Sequence, residues 1–149
     1  MARVVCLCLG LLFVAAGLIG FIAPTFLGMH LSVGHNMVNL ATGVMAAYFG
    51  YFGSYLAAKN FCYVMGTVYG SLGVIGLIAP PGVPLMHGMG PTNHLLSIVP
   101  GDLEFGTADS VAHLLVGAVL LYGGFSRYIR VEEPKPEVVR VFQKRVSMH

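Results

Sequence analysis

Four runs of apolar residues divide the chain, at Val4–Ala23, Asn36–Ala57, Phe61–Ala79 and Ala108–Ser126. None contains Lys or Arg, and Asp109 and His113, near the start of the fourth, are their only acid and histidine. Each is close to the roughly 20 residues that a helix needs to cross a bilayer. Backbone groups in hydrocarbon must bond to one another, so the runs predict transmembrane helices. The expected fold class is all-α: an integral membrane four-helix bundle over residues 1–126, with an outer loop at 80–106 and a basic tail at 127–149. Met1-Ala2-Arg3 would suit the n-region of a cleaved signal peptide. The run behind it exceeds a usual h-region, and a cut after Ala23 would leave Pro24 next, so it is read as a retained helix.

Composition agrees: the 149 residues are 56% hydrophobic and 9% charged, against roughly 25% charged residues in soluble domains. Charge sets the expected orientation. The eight cations are Arg3, Lys59, Arg127, Arg130, Lys135, Arg140, Lys144 and Arg145. All fall at the start, in the turn expected between the second and third helices, or in the tail, and none in Pro24–His35 or Pro80–Gly106. The positive-inside rule then places both ends and the middle turn in the cytoplasm and the other loops outside. The expected location is a bacterial inner membrane or an internal photosynthetic one. The net charge of +2 does not point to nucleic acid.

The chain also reads as a duplicated helix pair. Gly17-Leu18-Ile19-Gly20-Phe21-Ile22-Ala23-Pro24 recurs 56 positions later as Gly73-Val74-Ile75-Gly76-Leu77-Ile78-Ala79-Pro80. Asn39-Leu40-Ala41-Thr42-Gly43 aligns with His113-Leu114-Leu115-Val116-Gly117, 74 positions on. A two-helix unit repeated in one orientation predicts pseudo-two-fold symmetry about the membrane normal. Small residues recur at three-to-four spacing in every helix: Gly10, Gly17 and Gly20; Gly43, Ala47, Gly50, Ser54 and Ala57; Gly66, Gly70, Gly73 and Gly76; Gly117 and Gly124. Such faces let helix backbones approach closely in lipid. Tyr55, Tyr63, Tyr122 and Tyr128 suit an inner aromatic belt.

In the tail, Glu132-Glu133-Pro134-Lys135-Pro136 reads as a stiff polar linker. Beyond it, Val138, Val141, Phe142 and Val146 share one helical face apart from Arg140, Lys144 and Arg145, which suits either a short basic helix on the anionic inner leaflet or a frayed end. Cys6, Cys8 and Cys62 lie near cytoplasmic helix ends, in a reducing compartment, and are read as small packing residues.

His35 and Asn36-x-x-Asn39-Leu40-x-x-Gly43, followed by Asp109-x-x-x-His113-Leu114-x-x-Gly117, resemble the signature of an uncharacterised bacterial family of four-helix membrane proteins, domain of unknown function 4383. The Gly-x-x-Gly-x-Ile-x-Pro ends of helices one and three are similar too, and the resemblance spans roughly residues 10–125. Asn39 stands where that pattern has His. The resemblance implies the architecture and no reaction.

Candidate chemistry gathers on the outer side. His30, His35, His87, His94 and His113 fall there with Met29, Met37, Met86 and Met89 and with Asp102, Glu104 and Asp109. Asp109 and His113 are four apart and share the small-residue face of the fourth helix, so Asp109 can accept from His113 and also sit well at the helix N-terminus. Asn36, Asn39, Asp109 and His113 are read first as interhelical hydrogen-bonding groups. A metal site would draw on His113, Asp109, His35, His30, His87, His94, Met86 and Met89, because thioether with imidazole suits Cu(I). Haem would need two imidazoles at one depth on facing helices. In the loop, Thr92 or Asn93 is expected to cap a short helix through His94–Val99, forming a lid or docking surface. No serine-nucleophile motif, phosphate loop or paired intramembrane carboxylate is present. The expected function is therefore non-catalytic: a structural or accessory subunit that packs in the bilayer with other membrane proteins or with copies of itself, without nucleic acid and without a required cofactor. Outer copper or haem binding is the alternative, and pH sensing by the outer histidines a weaker one.

Overall fold

The computed structural model describes residues 1–29, 31–78, 94–99 and 102–126, and for 94–97 the backbone alone. Four helices run as α1 (Ala2–Gly20), α2 (Val33–Tyr51), α3 (Tyr55–Ile78) and α4 (Thr107–Phe125). A 3-10 turn at Phe26–Gly28 follows α1, and strands β1 (His94–Val99) and β2 (Leu103–Gly106) precede α4. Helices α1, α3 and α4 are long and apolar enough to cross a membrane. Helix α2 matches α1 in length, at 19 residues. Its first turns carry His35, Asn36 and Asn39, all of which it turns into the protein.

Two expected boundaries move. Helix α2 ends at Tyr51, because the Phe52 and Gly53 N–H groups both reach the Tyr48 carbonyl, at 2.8 and 3.2 Å. Gly53 passes so close to Phe49 that a Cβ there would stand 2.5 Å from its carbonyl oxygen. Ser54 then opens α3, its hydroxyl accepting from the Ala57 N–H at 3.1 Å. The turn is thus Phe52–Ser54, and Lys59 lies within α3 rather than in the turn. Residues 94–99 form a strand and not the expected helix: β1 pairs antiparallel with β2, and the Asp102 N–H closes the turn on the Val99 carbonyl at 3.0 Å. The reason is local. Ile98 and Val99 are β-branched and run into Pro100-Gly101, a turn pair, so pairing with β2 satisfies their backbone better than an isolated helical turn would. The capping residues proposed for that helix, Thr92 and Asn93, and the tail beyond Ser126 lie outside the described residues.

Helix α1 packs along α2, and α3 along α4, while contact between the two pairs is far thinner. Glycine makes the close pairings possible. A Cβ on Gly10 would stand 2.5 Å from the Ala47 nitrogen, and one on Gly43 would stand 2.7 Å from the Val14 nitrogen. In the second pair, a Cβ on Gly66 would stand 2.8 Å from the Leu121 nitrogen and one on Gly73 2.6 Å from the Leu114 nitrogen. Backbone therefore lies on backbone, where dispersion replaces the hydrophobic effect as the source of association. The buried positions are spaced regularly. Ala2, Cys6, Gly10, Phe13, Gly17 and Gly20 on α1 stand 56 before Ala58, Cys62, Gly66, Tyr69, Gly73 and Gly76 on α3.

A narrow seam joins the pairs. At the turn end, Cys6 Sγ and Cys62 Sγ lie 3.3 Å apart, with the Cys6 thiol reaching the Ala58 carbonyl at 3.5 Å and the Cys62 thiol the Ala2 carbonyl at 3.8 Å. Cys8 faces outward. Farther along, the Phe13 and Tyr69 rings meet at 5.1 Å. Arg3 closes the turn end, donating to the Gly50 carbonyl at 3.0 Å and the Tyr51 carbonyl at 2.5 Å. A cation suits the partial negative charge of that helix terminus.

Candidate functional site

The polar residues of the bundle collect where α2 and α4 begin, at the loop end. Ser32 caps α2, its hydroxyl accepting from the His35 N–H at 3.1 Å while donating to the Asp102 carbonyl. The Asp102 carboxylate accepts from the Gly34 N–H at 2.9 Å, so the β-hairpin turn supplies an acid to the N-terminus of α2. A Cβ on Gly34 would push that carboxylate out of place. Helix α4 supplies its own acid: the Asp109 carboxylate accepts from the Gly106 N–H at 3.0 Å. This is the placement at the helix N-terminus expected for Asp109. His113 instead bonds the Asp109 backbone carbonyl, through Nδ1 at 2.6 Å.

With their helices anchored in this way, His35 and His113 meet across the seam. Their rings stack with centroids 5.9 Å apart and planes 21° from parallel. Tyr69 also stacks on His113, with centroids 5.3 Å apart and planes 16° from parallel. Phe105 of β2 sets its edge against both imidazoles, at 5.5 Å from His35 and 4.9 Å from His113. The Tyr69 hydroxyl donates to Thr42 Oγ1 at 3.3 Å. His35, Asn39, Thr42, Tyr69, Phe105, Asp109 and His113 are all buried.

Two clefts flank this cluster. One, of about 130 Å³, lies between α1 and α4 beneath Met29 and Leu31. The other, of about 140 Å³, lies between α2 and α3 beneath Ile98, Leu103 and Phe105. His35, Asn39, Tyr69 and His113 line both. Asn39 is only 6% exposed and has no hydrogen-bond partner among the described residues. Its amide is not sealed in the fold but keeps access to the clefts it lines. Asn36 is more deeply buried: its Nδ2 donates to the Leu31 carbonyl at 3.2 Å, while its Oδ1, packed against Gly20, has no hydrogen-bond partner among the described residues.

Of the residues expected to form a site, then, His35, Asn39, Asp109 and His113 come together, and Asn36 packs one turn away against α1. His94 begins β1, where the backbone alone is described, and His30, Met86, His87 and Met89 lie outside the described residues. Among the described residues, no group of three or more His, Cys, Asp or Glu could hold a metal ion. Nor are His35 and His113 arranged as axial ligands of one haem. Axial ligation needs two ring nitrogens directed at a shared iron, whereas these stacked rings present their faces to each other. Tyr69, Thr42 and Phe105 were not legible as site residues. Tyr69 was the one with a signal, because it is the polar replacement of Phe13 at an interval of 56.

A second feature lies on the lipid-facing side of α3 and α4. Gly66, Thr67, Gly70, Ser71, Ala118 and Leu121 help line a shallow groove of about 490 Å³. A Cβ added to Gly70 would meet nothing within 4 Å. Gly70 stands 56 after Val14, so the second helix pair is open where the first carries a side chain.

Comparison with protein-family models, curated proteins and solved structures finds no match for the chain.

Proposed function

We propose that the chain is a non-catalytic, four-span membrane protein that works by packing with another transmembrane helix, as an oligomer or as an accessory subunit. In this reading it is a tandem parallel repeat of a two-helix unit, with both ends and the middle turn cytoplasmic and the loop end outside. The repeat is supported by the constant intervals of the buried positions and by matching contacts: Gly17 lies against the Asn36 carbonyl, and Gly73 against the Ser110 carbonyl 74 residues later. The likeness of the His35-Asn36 and Asp109–His113 segments to the uncharacterised four-helix family supports the same architecture.

The observation that carries the packing role is the groove above Gly70. Glycine there is not needed for packing within the chain, because the space over it is open. A small residue facing lipid with room above it is what a helix–helix contact in a bilayer uses. The test is cross-linking in native membranes with a bifunctional maleimide, from Ser71→Cys in a Cys8→Ser background. An adduct to a second copy or to another membrane protein, lost in a Gly70→Leu variant, is the expected result. Monomer alone, or an adduct that Gly70→Leu leaves unchanged, would sink the reading. A stoichiometric metal or a haem band in the gently solubilised protein would replace it with outer-face metal or redox handling.

A further inference from the structure

The twin clefts beside the His35–His113 stack are not explained by packing. Their walls are equivalent: Leu12, Phe13 and Ala16 in one stand 56 before Val68, Tyr69 and Leu72 in the other. Both sit in the thin seam between the helix pairs. Exposed apolar side chains flank them, Leu12 on one side and Val38 and Val68 on the other, so access is from the lipid phase.

The polar groups inside define what could bind. The Asp109 carbonyl can only accept, so the proton on the His113 ring lies on Nδ1. In the neutral imidazole that leaves Nε2 as an acceptor. The Asn39 amide offers a donor and an acceptor, and nothing among the described residues uses either. Both clefts are therefore largely apolar around their walls and share one donor–acceptor pair, Asn39 and His113, which line both. Volume limits the body of the ligand. A cavity of about 150 Å³ holds benzene, so clefts of about 130 and 140 Å³ suit one six-membered ring and not a fused pair. An anion is disfavoured in the α1–α4 cleft, which Asp109 lines.

We propose that these clefts bind a small lipid-soluble molecule with a single hydroxylated ring, of the phenol or hydroquinone class. Its hydroxyl donates to His113 Nε2 and accepts from the Asn39 amide. The site is independent of the groove above Gly70, on the other side of α3, and the two stand or fall separately.

The probe is 4-fluorophenol, with fluorobenzene as the control of equal shape lacking the hydroxyl, titrated by ¹⁹F NMR against the full chain in lipid nanodiscs. The expected result is saturable binding of 4-fluorophenol beyond partition into empty discs. Fluorobenzene should bind roughly thirtyfold more weakly, the loss of both hydrogen bonds. Asn39→Leu should bring a smaller loss, about fivefold for one of the two bonds, while keeping the helical circular dichroism of the parent, because Asn39 holds no bond among the described residues. Ala112→Phe, which places a ring in the α1–α4 cleft and leaves both polar groups in the sequence, provides a second check and should remove binding there. Partition alone overturns the proposal, with water left as the occupant of the clefts. So does equal binding of fluorobenzene, or full binding by a folded Asn39→Leu variant.

Discussion

The α1–α2 and α3–α4 pairs are built to one plan and finished differently. Both bring backbones together through glycines at corresponding places, Gly10 and Gly43 in the first and Gly66 and Gly117 in the second. They diverge at the residues beside those contacts. Val14 fills a position that Gly70 leaves open, Phe13 corresponds to Tyr69, and Asn39 to His113. Their helix starts differ too: α2 takes an acid from the distant Asp102, whereas α4 uses its own Asp109. Positions that keep helices together tolerate only one kind of residue, so the two pairs agree there. Positions free of that demand carry the groove, the imidazole stack and the clefts, and these are where the pairs differ.

Breaking the shared plan should have the largest effect. Gly10→Val pushes a side chain into the Ala47 backbone, and Gly66→Val does the same against Leu121. Each should cost about 3 kcal/mol or more in detergent unfolding, the range of a severe overpacking. A loss below about 1 kcal/mol at either site would mean that the pairs do not touch along their backbones. Val14→Gly makes the first pair resemble the second. It removes a half-buried side chain and adds backbone freedom, for a loss of about 1–2 kcal/mol in the same assay.

Smaller effects separate the ends of the molecule. Asp102→Ala takes away the acid at the start of α2, and a loss of about 1 kcal/mol is expected. Amide exchange should quicken at Gly34 and His35 while the start of α4 stays protected; uniform quickening in both helices would contradict the division of roles. Tyr69→Phe turns the second pair toward the first at the seam. It forfeits one bond to Thr42, worth about 0.6 kcal/mol between membrane helices, and a change several times larger in thermal unfolding would show the hydroxyl bearing on the wider cluster. Gly70→Ala comes last. With open space above it, stability should stay within about 0.5 kcal/mol or rise slightly through helix propensity, and a marked loss would show the groove to be closed within the chain.

Much of this was legible along the chain, and the failures are instructive. Period and length revealed the helices, and glycine spacing revealed the faces on which they pair. Gly53-Ser54 was a readable stop and start, but a continuous apolar run hides a boundary when lipid accepts the residues on either side. The loop strand was misread because a six-residue apolar segment has no period long enough to separate helix from strand. Cys6 and Cys62 were read as separate packing residues, although the 56-residue interval that relates them is the one that brings them together across the seam.

The sequence by itself determined that this chain belongs in a bilayer, that it is helical, and which face of each helix is small enough to meet another. Those properties follow from local composition, since transfer to lipid and backbone pairing act on each segment alone. Only the tertiary structure decided that His35 stacks on His113, that Asn39 finds no partner among the described residues, and that two clefts open beside them. Such features arise where side chains from helices distant in the chain converge, and a ring stack or an unmet hydrogen bond depends on sub-ångström placement that no spacing along one helix encodes.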